Sequence, residues 1–131
     1  MMYNKLVESY FFKPKHVGVV DLSKDLSVFY RNGEVGRGDV FELSLLGSPK
    51  GLILEARFKA YGNPYLIAAA EWLCRLLDGS EVNALPSFDY VWLVQELDIP
   101  KTRYSIALQI EDAYQEIILR MKRLLKGETN E

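Results

Sequence analysis

The sequence has almost no cysteine, since Cys74 is the single one among 131 residues. One cysteine excludes an internal disulfide and any metal site built from several cysteines of this chain. We therefore expect a reducing, cytoplasmic environment. Free cysteine is commonly buried, so we expect Cys74 to be a small apolar core residue. A sulfur acceptor or a replacement metal ligand is the alternative for this side chain.

Long apolar runs and a dominant charge of one sign are also missing. No run approaches the roughly 20 apolar residues of a membrane span, and the first residues do not resemble a signal peptide. The net charge of −2 provides no electrostatic attraction for nucleic acid or an anionic membrane. With 49% apolar residues the chain can bury a core. We expect one soluble domain over residues 1–126 and a polar tail over residues 127–131, binding neither nucleic acid nor membrane.

The first half of the chain predicts one helix and three strands. Apolar residues at helical spacing predict a helix over residues 3–12, limited by Pro14, and the next twelve or so residues look irregular. Strands are predicted over 26–30, 40–46 and 52–59, because apolar and polar residues alternate in the last two. The inward residues of these two strands are Phe41, Leu43 and Leu45 in the first and Leu52, Leu54, Ala56 and Phe58 in the second.

The second half of the chain predicts three helices. Asn63 is a good N-cap, Pro64 a good first helical residue, and Gly79 is placed to end the first helix after Asp78. Further helices are predicted over 88–97 and 102–126. The fold class is therefore α+β: an N-terminal helix, a three-stranded antiparallel sheet, and three helices packed on one face of it.

Catalytic arrangements are absent from the sequence, so we expect no enzyme. Glu111 and Asp112 are adjacent on a helix and face different directions. Ser105 has no convincing histidine base, and the glycines between 33 and 38 precede a strand where a nucleotide motif needs a helix. His16 is a single imidazole in an irregular segment, which we expect to hydrogen-bond the backbone.

Residues 56–63 read Ala-Arg-Phe-Lys-Ala-Tyr-Gly-Asn. This string resembles Ala-Arg-Phe-Lys-Thr-Tyr-Gly-Cys of the NifU/IscU-type iron–sulfur cluster scaffold family. Residues 11–18 look like its Tyr-Glu-Asn-Pro-Arg-Asn-Val-Gly, residues 36–40 like its Ala-Cys-Gly-Asp-Val, and residues 106–113 like its Cys-Ser-x-Leu-Ala-Glu-Asp-Ala. The resemblance covers about residues 3–122 and implies the family's fold and a role in iron–sulfur cluster assembly.

The departures from the family fall on its cluster site. The resemblance implies three cysteine ligands and an assisting aspartate, and these positions carry Arg37, Asn63, Ile106 and Asp39 here. A guanidinium, an amide and an aliphatic carbon supply no soft sulfur ligand for iron. We therefore expect no cofactor, although the family implies iron or an iron–sulfur cluster. Arg37 and Asp39 are expected to form an exposed ion pair or a contact that orders the loop, with a vestigial iron position as the alternative.

The helix over 88–97 has two apolar sides. Tyr90, Leu93, Val94 and Leu97 gather on one side and suit the domain's own core. Phe88, Val91 and Trp92 gather on nearly the opposite side. This second side either packs under a neighbouring element or contacts a partner, for which tryptophan is a favoured anchor. We take these three residues as the predicted partner-binding surface.

Three functions follow from this reading. The first is a scaffold-like protein without the cysteine ligands, acting as an adaptor or regulator that binds a cysteine desulfurase, a genuine scaffold, or itself as a homo-oligomer. The second is a carrier of iron or a cluster through unconventional ligands, with Asp39, His16, Cys74 or a second subunit. The third is a fold recruited as a protein-interaction module in an unrelated pathway.

Overall fold

The computed structural model describes residues 3–33 and 38–127, in which one helix precedes three strands and three helices follow them. The helices are α1 (Lys5–Phe12), α2 (Pro64–Leu77), α3 (Tyr90–Leu97) and α4 (Tyr104–Leu125). The strands are β1 (Ser27–Asn32), β2 (Val40–Gly47) and β3 (Ile53–Tyr61). Short 3-10 turns at Val82–Ala84 and Lys101–Arg103 precede α3 and α4. This order confirms the predicted α+β class.

Side-chain caps explain where the helices begin. The Oδ1 atom of Asn63 accepts a hydrogen bond from the Tyr65 backbone N–H at 2.9 Å, and Pro64 is the first residue of α2. Asn4 and Asp89 cap α1 and α3 in the same way. These contacts satisfy backbone donors that have no partner inside the helix. Gly79 follows the end of α2 with a φ of +82°, as its predicted role as a terminator requires.

The sheet is antiparallel with the order β1-β2-β3. On its inner face Phe41, Leu43 and Leu45 are fully buried, as predicted. Helices α2 and α4 contact this sheet, while α1 packs on α2 and α3 packs mainly on α4. The hydrophobic core therefore lies between the sheet and the two longest helices. Among the described residues, no helix combines the length and the apolar character that a membrane crossing demands.

A β-bulge reverses the predicted facing of the first residues of β3. Leu46 pairs with Glu55 and Gly47 pairs with Ile53, so Leu54 is an extra residue without a partner. Side chains alternate strictly along a strand, and one extra residue shifts that alternation by one. Ile53 is consequently fully buried and Leu54 is 50% exposed. The prediction that Leu52 and Leu54 face inward is wrong for this reason.

The segment between α1 and β1 is irregular, as predicted, but it is tied to the sheet. Gly18 donates its N–H to the Phe58 carbonyl at 2.8 Å, and Phe58 donates its N–H to the His16 carbonyl at 2.9 Å. Further along, the Val20 N–H donates to the Ser44 hydroxyl at 3.1 Å. The segment therefore adds a short parallel bridge to β3 and covers Ser44, a polar residue of β2 that would otherwise face solvent.

Candidate functional site

Antiparallel pairing brings Asp39 and Asn63 together at one end of the sheet. Val40 at the start of β2 pairs with Tyr61 at the end of β3, so the residues that flank these strands are neighbours. The Asn63 backbone N–H donates to Asp39 Oδ1 at 2.8 Å. The Asn63 side-chain oxygen is already engaged with Tyr65 as the cap of α2. We call this contact between Asp39 and Asn63 the seam.

The first turns of α4 border the seam. The Gln109 side-chain amide donates to the Asp39 carbonyl at 3.2 Å. Ile106 lies one turn before Gln109 on the same side of the helix, and its side chain is 1% exposed. Of the four positions that match the family's cluster site, the structure therefore gathers Asp39 and Asn63 and places Ile106 on the adjoining helix. Arg37 and its predicted contact with Asp39 lie outside the described residues.

A polar network runs from β1 to α4 beside the seam. The Tyr30 hydroxyl donates to Asp112 Oδ2 at 2.6 Å, and this hydrogen bond to a carboxylate is the main cause that raises the pKa of Tyr30 to about 12. The Asn32 side-chain N–H₂ donates to the Gln109 carbonyl at 2.9 Å. Sequence reasoning missed this network, because its members lie about 80 residues apart along the chain.

The donor set at the seam lacks sulfur. Asp39 presents a carboxylate with one oxygen already hydrogen-bonded, Asn63 presents an engaged amide, and Ile106 presents hydrocarbon. Over residues 3–33 and 38–127, no three histidine, cysteine or acidic side chains are grouped so that they could hold a metal ion. Iron–sulfur clusters are held mainly by thiolates. The described residues therefore do not fit a cluster that this chain would ligate by itself.

Cys74 is not available to supply the missing sulfur in this conformation. It lies inside α2 and is fully buried. Burial, reinforced by the Glu71 and Asp78 carboxylates, raises the pKa of the Cys74 thiol well above its usual range. A neutral buried thiol is neither a nucleophile nor a ready ligand. The prediction of a small apolar core residue is confirmed.

His16 bonds side chains, and the prediction that it bonds the backbone is wrong. Its Nδ1 lies 2.8 Å from Glu71 Oε2, and its Nε2 lies 3.4 Å from Asp78 Oδ2. Glu71 is fully buried and also accepts from the Lys15 and His16 backbone N–H groups and from Arg75 Nε. This cluster fastens the segment before β1 to α2. No local pattern reveals it, because the partners are 55 residues apart.

The predicted partner-binding residues of α3 separate in the structure. Phe88 is 6% exposed and packs against the rings of Trp72, Trp92 and Tyr114. Val91 is 43% exposed, and Trp92 is half-buried at the edge of the same aromatic cluster. Phe88 therefore serves the domain's own packing, and the partner-binding prediction now rests on Val91 and Trp92.

Comparison with known proteins decides the family. The family model described as the NifU-like N terminal domain matches residues 2–124. The chain belongs to the NifU-like N-terminal domain family. The match agrees with the resemblance seen in the sequence. It contains α1 to α3 and β1 to β3 in full and stops one residue before the end of α4. The boundary between domain and tail at residue 126 stays a prediction.

Relatives of this NifU-like chain include two bacterial scaffold proteins. It is 32% identical over 126 residues to the iron–sulfur cluster assembly scaffold protein IscU of Buchnera aphidicola subsp. Acyrthosiphon pisum, covering 94% of this chain and 97% of the relative. The IscU of Escherichia coli K12 is 28% identical over 125 residues, covering 93% of this chain and 95% of the relative. The crystal structure of a NifU-like protein (N-terminal) from Brucella abortus matches with a TM-score of 0.65 at 14% identity, covering 96% of this chain and 95% of that one.

The comparisons confirm one expectation and overturn another. The relatives are scaffold proteins, so the NifU-like chain is a scaffold-type protein and not an enzyme. The expectation of no cofactor is contradicted, because the family and its named members point to an iron–sulfur cluster as the group that such scaffolds carry. The expectation failed because it rested only on the side chains of this chain at the four matching positions, whereas the relatives are named for iron–sulfur cluster assembly.

Proposed function

We propose that this NifU-like chain acts in iron–sulfur cluster assembly as an adaptor or regulator that binds other assembly proteins. The observation that carries the proposal is the Asn63 side chain, whose Oδ1 accepts a hydrogen bond from the Tyr65 backbone N–H at 2.9 Å as the cap of α2. At this position the resemblance implies a sulfur ligand, and here the side chain instead caps a helix. The family's shape is retained, while Asn63 caps α2 and Ile106 is buried in the core.

In this proposal the chain keeps the family's fold and uses its surface to bind other proteins. The resemblance to the family implies that the partner is a cysteine desulfurase or a cysteine-bearing scaffold. A second copy of this chain is another possible partner. The alignment covers more than nine-tenths of both this chain and its scaffold relatives, which supports a shared fold and therefore a shared docking surface. Binding in place of, or beside, a scaffold would change how fast that scaffold receives sulfur or iron.

A direct experiment measures binding and its consequence together. Isothermal titration calorimetry measures binding of the chain to the cysteine desulfurase and, in a separate titration, to the cysteine-bearing scaffold of the same cell. Cluster assembly on that scaffold is then timed with and without the chain. We expect a defined complex with at least one of them and an altered assembly rate. Absence of binding to both, together with an unchanged rate, would remove the proposal and favour a module recruited to another pathway.

The family comparisons favour a second function, in which the chain handles a cluster as cargo. Asp39 supplies a carboxylate at the seam, which is a hard oxygen ligand, so the soft ligands would be thiolates of a partner protein. Anaerobic reconstitution of the chain, alone and with the cysteine-bearing scaffold, tests this function by iron and sulfide analysis. Cargo handling predicts iron and sulfide that co-elute with this chain in the presence of the scaffold and that decrease in Asp39→Ala.

Cys74→Ala is the matched variant that separates the ligand sources. A buried thiol contributes nothing to docking, so the adaptor function predicts unchanged binding and assembly rates for this variant. A carrier that uses its own sulfur predicts loss of bound iron in the same variant. Asp21→Ala, at an exposed carboxylate of the segment before β1, serves as the control for Asp39→Ala.

A further inference from the structure

A groove opens on the side of the molecule away from the sheet, where α1, α2 and α3 meet. It has a volume of about 260 Å³. Its lining residues come from all three helices and are Tyr10, Trp72, Arg75, Leu76, Trp92 and Glu96. The groove lies apart from the seam, which is formed by the opposite end of α2 together with Asp39 and the start of α4.

The groove has an aromatic corner. The rings of Trp72 and Trp92 have centroids 5.1 Å apart and stand at 89° to one another. Trp72 is 8% exposed and also packs against Phe88, with ring centroids 5.5 Å apart. Trp92 is half-buried and leaves part of its indole at the groove. A fixed indole face attracts cations as well as apolar groups.

Two charged side chains line the groove, Arg75 and Glu96. Arg75 is paired within the protein, since its Nε lies 2.7 Å from the buried Glu71 carboxylate and its guanidinium lies 4.4 Å from the centroid of the Tyr10 ring. Glu96 is exposed and lies one helical turn after Trp92, so its carboxylate sits on the same side of α3. An exposed carboxylate beside an indole face forms a site for a cationic side chain.

The sequence around Glu96 is also negatively charged. Residues 76–100 contain five acidic residues and no lysine, arginine or histidine. The acidic residues are Asp78, Glu81, Asp89, Glu96 and Asp98. In a chain whose net charge is only −2, this is a strong concentration of negative charge along the sequence, and Glu96 is its member at the groove. A nucleic acid or an anionic membrane would be repelled here, whereas a basic protein segment would be attracted.

We propose that this groove binds a basic segment of a partner protein, with one lysine or arginine side chain seated against Trp92 and Glu96. Apolar residues of the same segment would pack on Tyr10 and Leu76, which line the groove beside the aromatic corner. The inference rests on the proposed function, because it names the surface through which a protein-binding member of this family would act. It also assigns a ligand, a lysine or arginine side chain, to Trp92, which the sequence predicted to contact a partner.

The test uses a fluorescent synthetic peptide that alternates arginine with leucine, and the same peptide with neutral citrulline in place of arginine. Anisotropy titrations at low salt measure affinity for the full chain. We expect the arginine peptide to bind and the citrulline peptide to bind about 10-fold more weakly. Trp92→Leu should weaken arginine-peptide binding about 3- to 30-fold.

Glu96→Gln and Glu81→Gln form the matched pair of variants. Each removes one exposed negative charge from the same acidic stretch, but only Glu96 lines the groove. We expect Glu96→Gln to weaken the arginine peptide about 3-fold, in a salt-sensitive manner, and Glu81→Gln to leave it unchanged. Equal effects of the two variants, or equal binding of the two peptides, would overturn the proposal. If Trp92→Leu fails to fold, the glutamate pair still decides.

The groove and the proposed function fail in different ways. If the desulfurase or the scaffold binds the chain equally well with Glu96→Gln or Trp92→Leu, the groove is wrong and the adaptor function stands. If the peptide binds in the groove with the expected variant pattern while neither assembly protein binds the chain, the adaptor function is wrong and the groove stands.

Discussion

Glu71 holds the imidazole ring of His16 at 2.8 Å although its carboxylate is fully buried in α2. The same carboxylate accepts Arg75 Nε at 2.7 Å and two backbone N–H groups of the segment before β1 at 2.9 Å each. A buried charge is tolerated only when it is paired and fully hydrogen-bonded. This one residue therefore joins α2 to a segment that has no regular secondary structure of its own.

Replacing Glu71 by Gln is expected to lower the free energy of unfolding by about 3 kcal/mol, because it leaves His16 and Arg75 without their shared carboxylate. Urea unfolding monitored by circular dichroism measures the loss. Glu116→Gln is the control, since it breaks a partly exposed i,i+4 pair with Arg120 and should cost about 0.5 kcal/mol. A loss for Glu71→Gln no greater than that of the control would contradict the central role of this carboxylate.

Stability is expected to fall in acid through Glu71. Burial opposes its ionisation, but hydrogen bonds from His16, Arg75 and the Lys15 and His16 amides outweigh burial and lower its pKa below the usual range of a glutamate. A carboxylate with a lowered folded-state pKa contributes stability above its unfolded pKa of about 4.3 and loses it as pH falls through the folded value. Urea midpoints of wild type and Glu71→Gln measured across this range should converge in acid. Parallel curves would refute the linkage.

Tyr30 is expected to ionise only at strongly alkaline pH. Its hydrogen bond to Asp112 favours the protonated hydroxyl and raises its pKa to about 12, against about 10 for a free tyrosine. The raised value stabilises the folded state below the unfolded pKa, and this contribution is lost as pH rises through the folded one. Carbon NMR of ring-labelled tyrosine, assigned with Tyr30→Phe, follows the titration. Asp112→Asn should bring the Tyr30 midpoint back toward about 10; an unmoved midpoint would exclude the hydrogen bond as the cause.

Gly62 is expected to be essential to the seam. Its φ is +138°, and a Cβ at this position would overlap Asp39 Oδ1 and approach the Asp39 Cα. Gly62→Ala should therefore lower the free energy of unfolding by about 3 kcal/mol, the sum of backbone strain and displacement of Asp39. Gly79→Ala is matched, because it has a φ of +82° but nothing within 4 Å of the added carbon. Gly79→Ala should lower the free energy of unfolding by about 1 kcal/mol through backbone strain alone. Equal losses of stability in the two variants would show that Asp39 can move aside without cost.

Cys74 is expected to resist thiol reagents in the folded protein. Its side chain is fully buried and its thiol pKa is raised by burial, so both access and thiolate content are low. Iodoacetamide labelling followed by mass spectrometry should be slow in buffer and fast in concentrated urea. Labelling at similar rates in both conditions would mean that α2 opens readily and that Cys74 is accessible after all.

The sequence alone determined the elements of this fold and their order. Asn63, Pro64 and Gly79 bounded α2 to within a residue, because capping and helix termination depend on local backbone groups that the nearest side chains satisfy. The alternation of Phe41, Leu43 and Leu45 identified β2 and its buried face for an equally local reason. The same local strings carried the resemblance to the NifU/IscU family and located Asp39, Asn63 and Ile106.

Tertiary structure alone decided which residues meet and which way they face. The bulge at Leu54 depends on how two strands pair, so strict alternation along one strand could not show it. Glu71 with His16, and Trp72 with Trp92, are contacts between elements distant in sequence, and only packing brings their side chains within reach. Burial has the same origin: it made Phe88 part of the core and left Trp92 at a groove, because exposure depends on every neighbouring element at once.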